Sequence, residues 1–290
     1  MFEEEFLRLN AGKHFVALAY KLRRPGHEPV RDHASCFVID VGRGVWCLVT
    51  AGHVIKGLRK AVEDGWSIEV PRLIDAFAGV QTEAIPFLLD PTEWLELDDE
   101  ETGVDLAAVP LTILFKANLK AGGVEALERG QINAATFEGY SQVVIAGVPA
   151  EGVAVKRGSG QMKFVVIPVS AATSEEAKLP DKPGTLLGKL PSNPADPQHR
   201  VESIAGMSGC PVFAIDREQN GQPKCYWAIG VQSSWNPNTR SIRFTPLDAL
   251  AEALHEAVAA ETRDLPPGED ATVWTATGDR RAEPTSHGDK

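Results

Sequence analysis

The sequence predicts an all-β protein of two small antiparallel barrels, closed by one C-terminal helix. Three observations predict it. Short apolar or alternating runs recur at 14–20, 35–40, 45–50, 66–70, 73–80 and 104–110, separated by polar turns. A second set follows at 141–148, 163–169, 212–215, 224–232 and 241–244, after an irregular stretch at 112–139 that suits a crossover. Thr245, Pro246 and Asp248 then read as a helix cap, a first-position proline and a first-turn acid, with Leu247, Leu250, Leu254 and Val258 recurring on one face.

Taken in order, residues 1–10 read as a short capping helix and 1–120 as the first barrel. Residues 121–245 read as the second barrel and 246–264 as the C-terminal helix. From 265 to 290 the chain turns to Pro, Gly, Thr and charge; this tail is expected to be disordered, with Trp274 its only large anchor. The stretch 170–200, rich in Pro, Ser, Lys and Asp and without clear periodicity, reads as a long loop: either a cover for a cleft, a partner contact, or a plain surface insertion.

Composition narrows the function classes. A chain of 290 residues at 43% hydrophobic content has ample material for a buried core. A formal charge of −11 with no basic stripe argues against a nucleic-acid partner, and the acidic run 98–101 reads as a solvated loop. Residues 1–6 carry neither the basic region nor the apolar core of a secretory signal, and no apolar run approaches membrane-spanning length. The expectation is a cytoplasmic protein without a membrane partner. Cys36, Cys47, Cys210 and Cys225 are expected to be free thiols. A metal site from His27, His33 and Cys36 matches no common zinc spacing, so neither metal nor cofactor is expected.

The chemistry concentrates in 203–215, where Ser208 sits between Gly206 and Gly209 and the chain then enters a Pro-led apolar run. Flanking glycines let the backbone turn tightly and aim several N–H groups at one point, as an enzyme requires where a carbonyl oxygen becomes negative. A plain Gly/Ser turn has the same composition. A serine nucleophile also needs a base and a group that orients the base. His53 ends the apolar run 45–49, and Asp105 lies in the apolar run 103–109, where a carboxylate is costly unless hydrogen-bonded. Singly they read as a satisfied histidine and a cap or turn residue. The order His53, Asp105, Ser208 is what distinguishes one triad fold from the other two. The strand-to-helix elbow of α/β-hydrolases fails here, because Cys210 and Pro211 lead into a strand.

Three segments, Leu48-Val49-Thr50-Ala51-Gly52-His53, Val104-Asp105-Leu106-Ala107 and Gly206-Met207-Ser208-Gly209-Cys210-Pro211-Val212, resemble the signature blocks of trypsin-like serine proteases. A fourth, Ala228-Ile229-Gly230-Val231-Gln232-Ser233-Ser234-Trp235, resembles the strand that lines their cleft. The resemblance covers roughly 10–260 and is to the intracellular bacterial members. It implies two six-stranded barrels, the chymotrypsin-like double barrel, and an endopeptidase acting on protein or peptide. It implies Ser208 as nucleophile, His53 as base, Asp105 as orienting carboxylate, and the N–H groups of Gly206 and Ser208 as oxyanion hole. Ser233 resembles the serine that hydrogen-bonds the triad aspartate. Glu202, six residues before Ser208, stands where members preferring basic side chains carry an aspartate, which implies Lys or Arg before the cleaved bond.

The chain departs from the pattern at three places. Met207 replaces the aspartate that binds a freshly cleaved N-terminal amine, so that activation switch is absent. Cys210 replaces a glycine. Trp235 stands near a pocket-mouth glycine and is expected to narrow the pocket. The loss of the switch makes control by a regulatory protein partner or ligand the natural expectation, as in a stress, signalling or antiphage defence pathway. The alternative reading is a catalytically silent peptide-binding module, against which the intact His53, Asp105 and Ser208 argue.

Overall fold

Continuous buried runs in the first half of the chain lie at the centre of one sheet. The structure, a computed structural model, describes residues 2–75, 77, 84–156, 159–191, 201–218, 221 and 223–261. Helix α1 (Phe2–Gly12) precedes β1 (Phe15–Arg23), β2 (Val30–Asp40), β3 (Trp46–Thr50), α2 (Gly52–Glu63), β4 (Ser67–Ile74), β5 (Ile85–Pro86), β6 (Leu95–Asp99) and β7 (Val104–Pro110). The strands form a seven-stranded antiparallel sheet in the order β5-β4-β1-β2-β3-β7-β6. Helix α3 (Ile113–Ala121) opens the crossover.

The second half closes on itself. It comprises β8 (Gln142–Gly147), β9 (Val153–Lys156), β10 (Ser159–Met162), β11 (Val165–Ala171), α4 (Ser174–Ala177), β12 (Leu186–Lys189), β13 (Pro211–Arg217), β14 (Pro223–Asn236), β15 (Ser241–Pro246) and α5 (Asp248–Glu261). Six of these strands make a closed barrel, β11-β12-β15-β14-β13-β8, while β9 and β10 pair as a separate hairpin. The all-β class of paired antiparallel sheets therefore holds, with a closed six-stranded barrel and a separate hairpin in the second half and a seven-stranded sheet in the first.

The first unit differs from the sequence reading in how its strands divide. The runs 66–70 and 73–80 are one strand, β4, interrupted by a register shift opposite Ala19/Lys21, where Val70 takes a φ of +51°. Strand β6 is acidic, and its residues are mostly exposed, so no apolar run marks it. The end of the 73–80 run lies largely outside the described residues.

The stretch 170–200 is only partly a loop. Strand β12, with a glycine among its four residues, completes the barrel between β11 and β15. Helix α4 is one turn held by a reciprocal capping box between Thr173 and Glu176. Residues 192–200 and the tail from 262, including Trp274, lie outside the described residues.

The two sheets share one core. Phe37, Val49 and Leu106 from the first sheet meet Ala146, Phe213 and Val231 from the barrel, with Leu7 and Ala11 of α1 in the same cluster. Leu250, Leu254 and Val258 of α5 seal it; burying each is worth about 1.5–3 kcal/mol relative to exposure. Helix α5 begins two residues later than the sequence signature suggests. Thr245 and Pro246 end β15, pairing with Val231 and Gly230, because sheet pairing there outcompetes the local cap signal.

Bonds as well as apolar contacts tie the halves together. His14 is fully buried, its Nδ1 2.7 Å from the Glu125 carbonyl and its Nε2 2.8 Å from the Tyr226 hydroxyl on β14. Burial pushes its pKa down to about 4. Among the described residues no helix is long and apolar enough to cross a membrane.

Candidate active site

Strand β3 is fully buried from Trp46 to Thr50, and the chain leaves it at Ala51 to begin α2. His53 lies in the first turn of that helix, where backbone N–H groups lack intrahelical acceptors. Ala51 offers no side-chain cap. The vacant acceptor role is filled from β7: Asp105 Oδ1 accepts the His53 N–H at 2.7 Å. The other carboxylate oxygen, Oδ2, lies 2.6 Å from His53 Nδ1. One carboxylate thus orients both the backbone and the ring of a single histidine, and the positive end of the helix favours its charge.

Asp105 is itself fixed from the barrel. Its N–H donates to Thr245 Oγ1 at 3.2 Å, so the threonine read as a helix cap instead anchors the carboxylate strand. Its side chain is 16% exposed, against 47% for His53. The helix behind His53 is equally constrained: Ile55 and Leu58 are buried, and the Arg59 guanidinium donates to the carbonyls of Pro91 and Trp94.

Ser208 sits on two successive tight turns just before β13. Met207 N donates to Ile204 O and Cys210 N to Met207 O, both at 2.9 Å. Gly206 and Gly209 take φ values of +86° and +90°, a region L side chains rarely adopt. Gly209 also has no room for a side chain: a Cβ there would lie 2.1 Å from Thr50 Oγ1 and 2.3 Å from Ser35 O. The turn carrying Ser208 therefore presses directly on the end of β3 that leads into His53. Ser35 Oγ donates to Gly206 O at 3.1 Å, a second tie between the sheets.

His53, Ser208 and Gly206 line one cavity of ≈ 380 Å³ in the seam between the sheets. A larger cavity of ≈ 470 Å³, lined by Asp40, Trp46, Lys120 and Glu125 among others, contains none of them. The N–H groups of Gly206 and Ser208 donate to no acceptor among the described residues, whereas those of Met207, Gly209 and Cys210 all do. Two donors are thus left on the turn that carries Ser208.

The nucleophile turn is braced from several directions. The Glu151 carboxylate accepts the N–H groups of Glu202 and Ser203 at 3.0 and 3.3 Å. Ala150 N donates to Ala205 O at 2.7 Å. Arg240 donates to the carbonyls of Pro191, Val201 and Glu202. His33, buried and lining the same cavity, donates from Nε2 to Val148 O at 3.0 Å, and its ring lies where a Cβ on Gly206 would point. The roles of His33, Glu151, Arg240 and Thr245 at this site are ones the sequence reading missed, Thr245 being read as a helix cap and His33 only as a rejected metal candidate. Their roles depend on contacts across 38 to 140 positions of chain, which no local pattern announces.

The remaining sequence candidates fall elsewhere. Glu202 is exposed and engaged through its backbone, outside the cavity that Ser208 lines. Ser233 is buried, and its hydroxyl donates to Arg243 O at 3.4 Å rather than to Asp105. Trp235 is half-buried against the barrel core, with the Arg240 guanidinium over its ring at 5.9 Å, and does not line the cavity either. Met207 is fully buried in the barrel core, an apolar environment that suits the methionine and would penalise an aspartate.

The four cysteines stand as free thiols. Burial pushes Cys36 and Cys47 up to about 12 and Cys210 further in the same direction, so none of these three is a thiolate nucleophile. Cys36 is buried among Val16, Leu18, Leu48 and Ile55 while His27 packs on Trp66, and no group of metal-ligating side chains converges among the described residues.

No protein-family model and no curated protein matches the chain. It is similar to several solved structures over most of its length. Against tobacco vein mottling virus protease the identity is 10%, covering 80% of this chain and 76% of that one, with a TM-score of 0.39. Against a Glu endopeptidase in complex with MPD the identity is 14%, the coverage 88% and 94%, and the TM-score 0.45. Against a catalytically inactive tobacco etch virus protease complexed with substrate the identity is 7%, the coverage 88% and 86%, and the TM-score 0.42. At such identities the roles of individual residues rest on this chain's own geometry.

Proposed function

We propose that this chain is a serine endopeptidase that hydrolyses peptide bonds through an acyl-enzyme. The observation that carries the reading is the convergence of Ser208, two unsatisfied backbone donors and a carboxylate-held His53 in one cavity. An ionised carboxylate only accepts, so Asp105 holds His53 in the tautomer with Nδ1 protonated and leaves the Nε2 lone pair as the base.

In this mechanism Ser208 Oγ attacks the peptide carbonyl carbon while His53 Nε2 takes its proton. The carbonyl oxygen, now negative, is received by the N–H groups of Gly206 and Ser208. Collapse breaks the C–N bond, and His53 returns the proton to the leaving amine. A water then repeats the cycle on the ester, regenerating Ser208. Each oxyanion donor of this kind is worth roughly 3 kcal/mol in the barrier.

The substrate is protein or peptide, since an amide carbonyl with a leaving amine is what a base on one side and an oxyanion site on the other can process. Met207 supports control by a partner or ligand rather than by N-terminal cleavage, because its place in the core holds no carboxylate for a new amine. The test is hydrolysis of a casein digest or quenched-peptide pool by the purified chain beside Ser208→Ala and His53→Ala. Turnover is expected to fall by about 10⁶-fold in each, with the circular dichroism spectrum unchanged. Wild-type turnover in either variant excludes the reading.

A further inference from the structure

The cavity at Ser208 is asymmetric. Apart from Gly206 and Ser208, its lining comes from residues 20–58 of the first sheet and α2, and the cleft strand β14 contributes nothing. His53 belongs to that first-sheet side, and His53 is the group that would protonate the departing amine. The cavity therefore cradles the leaving half of the substrate, the residue just after the cleaved bond.

Its chemistry is specific. Strands β1 and β2 pair Tyr20 with Asp32 and Leu22 with Val30, placing Tyr20, Leu22, Asp32 and Ala34 on one face. Val54 and Leu58 of α2 form the opposing wall. Leu22, Val54 and Leu58 supply apolar wall, the exposed Asp32 is the only carboxylate among the described residues that line the cavity, and no described lysine or arginine lines it. Asp32 Oδ1 accepts the His33 N–H at 2.8 Å, which fixes the carboxylate. Burial first, and Asp32 second, push the Tyr20 phenol above its usual range, so it stands beside that carboxylate as a neutral donor.

We infer that this cavity selects a lysine or arginine immediately after the cleaved bond, its stem along Leu22, Val54 and Leu58 and its cationic head on Asp32. Long basic side chains match such a site because they bury an aliphatic stem while keeping the charged end at a polar mouth. An acidic side chain would instead meet a fixed like charge, which provides selection against as well as for. The inference rests on the serine endopeptidase reading and deepens it. It also relocates basic selectivity: the carboxylate at the site is Asp32, on the leaving side, and not Glu202.

The test is cleavage of a peptide library randomised on both sides of the scissile bond, with new N-termini identified by mass spectrometry. Fluorophosphonate labelling of the wild-type chain is run in parallel. Lysine or arginine is expected at the new N-terminus, with kcat/KM at least tenfold above that for glutamate in matched quenched peptides. Asp32→Asn should erase that ratio, and Asp32→Lys should invert it. A wild-type chain that labels at Ser208 but shows no basic preference there, or a preference that survives both substitutions, overturns the inference while the serine endopeptidase reading stands. Absence of labelling overturns both. For a chain that labels but cleaves no library member, lysyl-alanine amide should slow labelling more than glutamyl-alanine amide; equal effects overturn the inference.

Discussion

The His53–Asp105 pair and the Ser203–Cys210 turn meet in one cavity but are built on opposite plans. The pair is nearly self-contained: one carboxylate holds both the N–H and the ring of the same histidine, and Thr245 adds a bond from the barrel in support. The nucleophile turn is held from outside. Glu151, Ala150 and Ser35 each bond to its backbone, Arg240 holds the residues that lead into it, and Gly209 fits only because it lacks a side chain. The difference places the base on rigid secondary structure and leaves the oxyanion donors dependent on packing between segments. Disturbing the first should abolish chemistry without moving the backbone, and disturbing the second should move the backbone and take chemistry with it.

The largest separation between the two regions should come from Asp105→Asn. An amide facing His53 Nδ1 stabilises the wrong tautomer, so kcat is expected to fall by about 10⁴-fold while thermal stability changes little. A loss under tenfold would mean that Asp105 does not orient the base. Next is Gly209→Ala, whose methyl would meet Thr50 and Ser35 on a backbone at positive φ. Both stability and turnover should drop, stability by roughly 1–3 kcal/mol or more. Retained activity with an unchanged urea midpoint would show that the close contact with β3 is not needed to seat Ser208.

A smaller effect is expected from Arg240→Met, which keeps the stem over Trp235 but removes the donors to Pro191, Val201 and Glu202. Loss of about 10–100-fold in kcat with KM nearly constant would identify Arg240 as a positioning residue for the oxyanion turn. The smallest effect on turnover is expected away from the site, at His14, where burial depresses the folded pKa to about 4 from the ordinary 6.5 and the consequence is for stability. Below pH 6.5 the unfolded chain binds the proton and the folded chain does not, so this contribution to stability is lost as pH falls toward 4. The full difference is about 3 kcal/mol. His14→Gln should flatten the fall of the urea midpoint between pH 6.5 and 4, and an unchanged slope would refute a buried neutral His14.

The sequence carried the parts of this architecture that are local. The apolar runs marked most barrel strands, and Leu250, Leu254 and Val258 announced the face of α5 that seals the core. His53 and Asp105 were visible because a polar group at the end of or within an apolar run demands a reason, and Ser208 because glycines flank it just before the apolar run of β13. What escaped has a common cause in tertiary context. Strand β6 is acidic and mostly exposed, β12 has only four residues with a glycine among them, and α2 begins without a side-chain cap because Asp105 takes that part from a different strand. Thr245 carried a genuine cap signal that sheet pairing overrode. Glu202 shows the limit of counting along the chain. Its six-residue offset from Ser208 stands, yet Glu151 and Arg240 hold that segment by its backbone with the Glu202 side chain exposed.

The central claim is that Ser208 is an activated nucleophile, and labelling with a fluorophosphonate probe tests it most directly. Such probes react with a serine whose base and oxyanion donors are in place. Stoichiometric labelling mapped to Ser208 and lost in Ser208→Ala and His53→Ala is the predicted result. Labelling at another residue, or none on the folded wild-type chain, would contradict it.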